Sequence, residues 1–489
     1  MGKDRNMSDN LTNTIGAQQG TEMFDGLKRS PRRPATGKTI KEAERETPVF
    51  SETDVLVVGG GPAGTAAAIS AGRIGADVML VERYNHLGGL STGGLVIWID
   101  RMTDWTGTQV IAGVAHEFMD RLASDALLGP IRSDWGSRDA ATAEYWAQRS
   151  AAYHGIVTWS PTIDPEGLKT LSLTMVQEQK VDLLLHSWAT QPIVENGIVR
   201  GAIFESKSGR QAILAKVVVD TTGDADLLSQ TATAMQTNID DGDIHHCVNT
   251  AFLLGGVDMD KWLDFRQSNA DEFKSFMAEG RSKVGSFEKP CVGWRNDVAL
   301  FMGPRLSGYS ATDVDDLTEV ELRSRQLTVQ HVDFYRAHAP GFENAFLMLG
   351  APQIGVRHSR RLSGQAQVTR EQWHEGKVWD EEIGVSTSLA PKFDNVSIPY
   401  GALLPKGVEG ILGAGRHISC DASSHSFLRE VPQCWLTGQA AGTAAALAAN
   451  EGALPSNLDV RIVQKELLKQ GSYLSPSVEN GLAMPDAAE

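Results

Sequence analysis

Residues 55–82 read VLVVGGGPAGTAAAISAGRIGADVMLVE, and the architecture of the chain follows from them. The first residues form a short apolar run that stops at three glycines, as a buried parallel strand does. An alanine-rich segment of helical length follows from residue 63 to residue 75, and residues 78–81 form a second apolar run. The pattern predicts a strand–helix–strand unit of an α/β sheet.

The turn between the first strand and the helix has the spacing GxGxxG, with Gly59, Gly61 and Gly64 at its glycine positions. The first glycine permits the tight turn, the second lets the backbone approach a pyrophosphate, and the third lets helix and strand pack closely. The N–H groups and the dipole of the helix start attract a diphosphate. Glu82 ends the second strand, where a carboxylate accepts hydrogen bonds from an adenosine ribose. The sequence therefore predicts a dinucleotide site.

Three further segments indicate which dinucleotide is bound. A second glycine-rich loop, LGGLSTGG (87–94), follows the acidic residue at once, and a nicotinamide domain seldom has one there. Residues 216–226, KVVVDTTGDAD, read as a strand that ends in a Thr-Gly-Asp turn. GILGAGRHISCD (410–421) precedes an alanine-rich helix at 431–450, whose first turn contains proline. The start of such a helix would stabilise negative charge on a flavin ring.

These segments resemble the FAD-dependent oxidoreductase family of the glutathione-reductase-like flavoprotein superfamily. The similar stretches include the opening motif, LGGLSTGG, DTTGDADL, IGVRHSRRLSG, IPYGALLPKGVEGILGAGR and LTGQAAGTAAALA. The resemblance implies an α/β fold, with a glutathione-reductase-type, Rossmann-like FAD-binding domain, an antiparallel β-meander and an inserted α+β substrate lobe. It also implies FAD as the cofactor. The predicted FAD-binding residues are Gly59, Gly61, Pro62, Ala63, Gly64, Glu82, Arg83, Gly88, Gly89, Leu90, Ser91, Thr92, Ala189, Thr222, Gly223, Asp224, Gly415, Arg416 and Gln439.

The domain organisation follows from where regular patterns are found. Asp164 and Pro165 read as the cap and first position of a helix, and residues 181–219 read as an antiparallel meander. We predict a flexible N-terminal arm (1–50), an FAD-binding domain (51–95, 160–240 and 396–455), a substrate lobe (96–159 and 241–395) and a C-terminal extension (456–489).

Four polar residues are the predicted catalytic groups. His417, which follows the glycine turn at 413–415, is the first choice for a general base, with packing or cofactor support as the alternative. His358 stands where the family more often has an acidic residue, so it is a second proton-transfer candidate. One or two of the arginines around it would point at an anionic or carbonyl substrate near the flavin, and solvated or ion-paired roles are the alternative. Tyr400 and Arg429 complete the set, with core or surface roles left open for Arg429.

Composition excludes several classes of function. The 489 residues carry a formal net charge of −16, which disfavours nucleic acid and anionic lipid as partners. Four cysteines, never spaced as CxxC, argue against a zinc ribbon, an iron–sulfur cluster or a redox pair. The acidic and histidine residues at 240–246 resemble a solvated turn, so no metal is predicted. No apolar run is long enough to span a membrane, and we expect a cytoplasmic homo-oligomer.

The predicted function is the transfer of a hydride to flavin N5 from a small organic substrate that is hydroxylated or otherwise oxidisable, with cyclic molecules among the expected substrates. Oxygen, a quinone or a carrier protein would reoxidise the flavin. The sequence contains one GxGxxG turn, so a built-in NAD(P)H domain is not expected. Two alternatives stay open: a reductase or monooxygenase whose flavin is reduced by NAD(P)H, and a non-catalytic FAD-stabilised binding or assembly subunit.

Overall fold

The computed structural model describes residues 34, 36–237 and 247–483. The helices of these residues are α1 (Pro62–Arg73), α2 (Val114–Arg121), α3 (Ala140–Gln148), α4 (Pro165–Glu178), α5 (Met259–Ser268), α6 (Ala270–Val284), α7 (Val314–His338), α8 (Arg370–His374), α9 (Ala422–Leu428), α10 (Val431–Glu451), α11 (Val460–Lys469) and α12 (Pro476–Ala483). Residues 1–33 of the predicted arm and residues 240–246 lie outside the described part of the chain.

The strands of the described residues are mostly short. They are β1 (Val49–Val58), β2 (Val78–Val81), β3 (Leu127–Leu128), β4 (Ala152–Tyr153), β5 (Ile156–Val157), β6 (Thr162–Ile163), β7 (Asp182–Leu184), β8 (Trp188–Glu195), β9 (Ile198–Ser206), β10 (Gly209–Asp220), β11 (Met235–Gln236), β12 (Cys247–Asn249), β13 (Phe252–Gly255), β14 (Cys291–Val292), β15 (Val298–Phe301), β16 (Arg305–Ser307), β17 (Phe346–Gly350), β18 (Gly355–Val356), β19 (Arg361–Leu362), β20 (Glu382–Ser386), β21 (Val396–Pro399) and β22 (Ile411–Gly413).

The described residues form two compact units. One lies within residues 43–93, 97–237 and 360–489, and we call it the dinucleotide unit. The other lies within residues 1–42, 94–96 and 238–359, and we call it the inserted unit.

A seven-stranded mixed sheet forms the centre of the dinucleotide unit, and it confirms the predicted α/β class. Its order is β7-β2-β1-β10-β9-β8, with β22 also paired to β10. β7, β2, β1, β10 and β22 run parallel, whereas β8, β9 and the first half of β10 form an antiparallel meander. The strands β1 and β2 are almost fully buried where they pair. Their side chains are apolar on both faces, as is usual for parallel strands that are covered on both sides of the sheet. All carboxyl ends of the parallel strands therefore lie at one edge of the sheet.

Helices α1 and α10 pack against each other through small residues. A Cβ at Gly438 would overlap the carbonyl oxygen of Ala63, and one at Gly442 would overlap that of Ala67. The two backbones can approach this closely only because neither glycine has a side chain. This contact fixes the start of α1, and with it the glycine turn, against the core of the unit.

Residues 97–159 belong to the dinucleotide unit, whereas the sequence pattern assigned them to the substrate lobe. Two contacts explain their position. β3 pairs with β6, just before α4, and Phe118 of α2 stacks on Trp435 of α10 at a ring distance of 5.4 Å. Such long-range contacts leave no periodic signal in the sequence.

The inserted unit contains two antiparallel sheets, with orders β16-β12-β18 and β14-β15-β13-β17, together with helices α5, α6 and α7. Its core is aromatic and includes the buried residues Trp262 and Tyr335. His331 is also buried there: its Nδ1 donates to Leu327 O at 2.7 Å and its Nε2 accepts from Glu288 N at 3.0 Å. Burial lowers the pKa of His331 to about 4, so this histidine stays neutral and supports the core.

A bilayer-crossing helix is not found in residues 34, 36–237 and 247–483.

Candidate functional site

The glycine turn between β1 and α1 has a closed side and an open side. Gly59 adopts φ +100°, and a Cβ there would lie 2.7 Å from Thr221 O, so the turn requires glycine. A Cβ at Gly64 would overlap Gly59 O. At Gly61, by contrast, a Cβ would meet no atom within 4 Å. The backbone at Gly61 is thus open to a ligand beside the start of α1, and this fits the diphosphate of a dinucleotide.

The second glycine-rich loop returns to this turn. Gly88 N donates to the carbonyl of the first turn at 2.8 Å, and a Cβ at Gly89 would lie 2.8 Å from Gly61 Cα. Ser91 and Thr92 are buried, and their hydroxyls donate to carbonyl oxygens of their own loop at 2.7 Å. These side chains hold the loop in shape beside the glycine turn.

Glu82 braces the glycine turn through both of its carboxylate oxygens. Oε2 accepts from Gly60 N at 2.6 Å, and Oε1 accepts from Tyr84 N at 2.7 Å. Burial raises the pKa of Glu82, although these two hydrogen bonds oppose the shift. Each oxygen keeps a second lone pair, which is what a ribose hydroxyl would need. The guanidinium of Arg83 lies over the rings of Tyr84 and Trp188, at 4.9 and 5.2 Å.

A charged cluster follows the carboxyl end of β10. Asp224 Oδ1 accepts from Arg416 Nη2 at 2.7 Å, and Asp224 O accepts from Arg360 Nη1 at 2.9 Å. Arg360 also lies 3.4 Å from Asp226 Oδ1. Asp220 accepts from the backbone N–H groups of residues 222, 227 and 228 and thereby fixes the turn that presents these acids. Asp226 is not among the predicted site residues, and its signal in the sequence is that it is the third acid of the DTTGDAD turn.

Asp226 is the group of this cluster that titrates near neutral pH. Burial, then the carboxylates of Asp224 and Asp220, raise its pKa to about 6. Because this pKa lies above the ordinary value of 3.8, ionisation of Asp226 lowers the stability of the folded state as the pH rises from about 4 to about 6. Below pH about 4 the side chain is neutral in both the folded and the unfolded state, and this loss disappears.

Asp226→Asn is therefore expected to stabilise the protein at pH 7.5, by about 1–2 kcal/mol, and to have no effect at pH 4. The measurement is the melting temperature of both proteins between pH 4 and pH 8. Glu195→Gln, on the exposed β8–β9 turn, serves as the control for loss of one negative charge. A gain in melting temperature that does not depend on pH would contradict this account.

The predicted FAD-binding residues divide into those at the carboxyl edge of the sheet and those elsewhere. At the ends of β1, β2, β10 and β22 lie Gly59, Gly61, Pro62, Ala63, Gly64, Glu82, Arg83, Gly88, Gly89, Leu90, Ser91, Thr92, Thr222, Gly223, Asp224, Gly415 and Arg416. Ala189 lies in β8 of the meander. Gln439 lies in the middle of α10, where it accepts from Val114 N at 3.0 Å and donates to Gln470 O at 3.3 Å. Its amide thus links α10 to α2 and to the chain after α11.

Of the predicted catalytic residues, Tyr400 and Arg429 have partners in the dinucleotide unit. The Tyr400 hydroxyl is buried and donates to Pro455 O at 2.9 Å, and burial raises its pKa. Arg429 Nη2 lies 2.9 Å from a carboxylate oxygen of Glu430. Arg429 lies just before the start of α10, which has proline in its first turn and no side-chain cap. These uncapped N–H groups carry the positive end of the helix dipole.

The two predicted proton-transfer histidines are both buried. His417 is 0% exposed, and both of its ring nitrogens are buried. Its ring packs beside Gly413, where a Cβ would lie 3.1 Å from Nε2. Burial lowers the pKa of His417, and the nearby charge of Asp220 opposes the shift only in part. His358 is 5% exposed and belongs to the inserted unit.

Comparison with known proteins identifies relatives of the chain. The family model described as FAD dependent oxidoreductase matches residues 54–467. Digeranylgeranylglycerophospholipid reductase 2 of Methanothermobacter thermautotrophicus is 27% identical over 248 residues, which are 47% of this chain and 56% of the reductase. The protein of the same name from Methanopyrus kandleri is 23% identical over 248 residues, which are 48% of this chain and 54% of that protein. The match thus spans about half the length of these curated relatives.

Among solved structures, a geranylgeranyl bacteriochlorophyll reductase-like protein from Thermoplasma acidophilum is similar with a TM-score of 0.44 and 14% identity. That match covers 86% of this chain and 84% of the other.

Proposed function

The chain belongs to the FAD dependent oxidoreductase family, and on this basis we propose that it oxidises a small hydroxylated organic molecule. A hydride would pass from a carbon of the substrate to N5 of FAD, and oxygen, a quinone or a carrier would take the electrons onward. The observation that carries this proposal is the single GxGxxG turn of the sequence, which serves FAD and leaves no second turn for a nicotinamide domain.

The residues of the carboxyl edge fit FAD. The open backbone at Gly61 and the start of α1 would hold the diphosphate, Glu82 would accept from the ribose, and the backbone at Gly89 would close the other side. When bound, FAD supplies a two-electron acceptor. The start of α10 would stabilise negative charge that develops there, since its N-cap residue, Glu430, makes no side-chain hydrogen bond to the helix N–H groups.

Removal of a proton from the substrate is a separate task. A general base must reach the proton that it takes, and His417 has no accessible surface through which it could do so. We therefore propose that His417 is a packing residue, which is the alternative predicted for it. The ring nitrogens of His358 are buried as well, so accessibility does not favour His358 as the base in its place.

His417→Leu is expected to change the rate of flavin reduction by the substrate less than about threefold, because leucine fills a similar volume. His358→Ala tests the second predicted proton-transfer residue in the same way, and a loss of about 100-fold in this rate would identify His358 as an acid–base group. The measurement is stopped-flow reduction under anaerobic conditions, with melting temperatures of both variants as the control for folding. A 100-fold loss in His417→Leu, with folding intact, would restore that histidine as the base.

The proposed reaction is tested by mixing the FAD-loaded protein anaerobically with a panel of alcohols, hydroxy acids and amines. We expect at least one donor to bleach the flavin absorbance in a single turnover, and NADH and NADPH to do so much more slowly. Bleaching by NAD(P)H alone would overturn the proposal.

Bleaching by NAD(P)H alone would favour a reductive role, in which an external donor reduces FAD and the protein then reduces its substrate. The names of the curated relatives, both reductases, support this second candidate. Flavin that resists every donor, in a protein that copurifies with another chain, would instead indicate a non-catalytic subunit.

A further inference from the structure

Arg416 has one guanidinium nitrogen engaged and another without a partner. Nη2 donates to Asp224 Oδ1 at 2.7 Å, and the two side chains are only 10% and 13% exposed. Nη1 is buried and makes no hydrogen bond to any residue that the structure describes. A buried donor of a charged group that lacks an acceptor is costly, so this atom indicates a partner outside the chain.

The surroundings of Arg416 place its guanidinium beside the glycine turn. The preceding residue, Gly415, adopts φ +91°, and a Cβ there would lie 2.9 Å from the Cβ of Ala63 in the first turn of α1. On the other side the guanidinium lies against Gly223, where a Cβ would come within 3.1 Å of Nη2. Gly223 lies two residues after Thr221, whose carbonyl oxygen packs against Gly59 of the glycine turn. Arg416 is thus confined between the two segments that flank the start of α1.

The free donor of Arg416, rather than the net charge of the cluster, is what suits an anion. Asp224 balances one positive charge, but its oxygen occupies only Nη2, and the fork of an arginine has a second donor that suits an oxyanion. The ligand that this family brings to the start of α1 carries two adjacent negative charges, on the bridging phosphates of FAD.

We propose that Arg416 is the arginine that binds the diphosphate of FAD, with Nη1 donating to a phosphate oxygen while Asp224 holds the guanidinium in place. The assignment rests on the FAD binding of the proposed function, but not on the direction of hydride transfer or on the substrate. It gives the ion pair Asp224–Arg416 a positioning role and gives Arg416 a direct role in selecting a dinucleotide.

The test is the affinity of the apoprotein for FAD and for ADP, measured by isothermal titration calorimetry. ADP has the adenosine and the two phosphates but no flavin. In Arg416→Met we expect the dissociation constants of both ligands to rise by the same factor, about 10- to 100-fold. Arg416→Lys retains the charge without the fork and is expected to give a smaller rise, about 3- to 10-fold, in both. Arg360→Met is the matched control, since Arg360 also bonds to Asp224 but is 25% exposed and has no buried guanidinium nitrogen that lacks a partner among the described residues.

Three results would overturn the proposal. The first is an ADP affinity of Arg416→Met within twofold of the unmodified protein. The second is a loss of FAD affinity without a loss of ADP affinity, which would assign Arg416 to the flavin end instead. The third is an equal loss in Arg360→Met, which would indicate only the general charge of the cluster. If Arg416→Met does not fold, the Arg416→Lys titration decides between the same outcomes. None of these results depends on whether an organic donor reduces the flavin.

Discussion

Gly61→Ala is expected to weaken FAD binding by at least about 100-fold while leaving the stability of the apoprotein unchanged. Gly61 has φ −70° and ψ −169°, which alanine adopts without strain, and no atom of the protein lies within 4 Å of the added Cβ. The methyl group would instead occupy the space through which the backbone approaches the diphosphate.

The dissociation constant follows from quenching of FAD fluorescence on titration with apoprotein, and the melting temperature of the apoprotein reports stability. Gly481→Ala is the control, because its Cβ also meets no atom within 4 Å but lies in α12, far along the chain from the turn. If Gly61→Ala retains FAD as tightly as Gly481→Ala does, the open side of the turn is not the diphosphate site.

Gly64→Ala is expected to have the opposite signature, with a large loss of stability even in the apoprotein. Its Cβ would overlap Gly59 O and lie 2.7 Å from Thr221 Oγ1, which itself donates to the carbonyls of Val58 and Gly59. Both clashes are with the framework of the turn, so helix and strand must separate. We expect a loss of about 3 kcal/mol or more.

Thermal denaturation of apoprotein and FAD-loaded protein measures this second effect. The melting temperature of Gly64→Ala should be lower than that of the parent both without and with FAD. The melting temperature of Gly61→Ala should equal that of the parent without FAD and be lower only when FAD is present. A Gly64→Ala apoprotein as stable as the parent would show that the turn tolerates a wider separation of β1 and α1.

The sequence predicted the dinucleotide unit well where local signals determine the structure. The strand–helix–strand unit appears as β1, α1 and β2, and the expected last helix appears as α10 with Pro432 in its first turn. Asp164 caps α4 as expected, through a hydrogen bond to Glu166 N at 2.9 Å. In each case the signal lies within a few residues of the element: a glycine spacing, a cap or a proline.

Side-chain partners from distant parts of the chain were not predictable in the same way. Gln439 lies in a segment similar to a family motif, yet its amide bonds to Val114 and Gln470, which are remote in sequence. Tyr400 bonds to a carbonyl 55 residues further on. The burial of His417 likewise depends on how β22 packs against the turn after β10, and no local pattern encodes it.

The close packing of α10 on α1 has a consequence for biosynthesis. The ribosome makes the glycine turn early. Helix α10, whose glycines pack against Ala63 and Ala67 of α1, is complete only after residue 451 has been added. Until then the nascent strand–helix–strand segment lacks its covering layer, and the alanine face of α1 is exposed to water or to chaperones. FAD loading is therefore expected to follow translation of α10, and chains that stop before it should be targets for proteolysis.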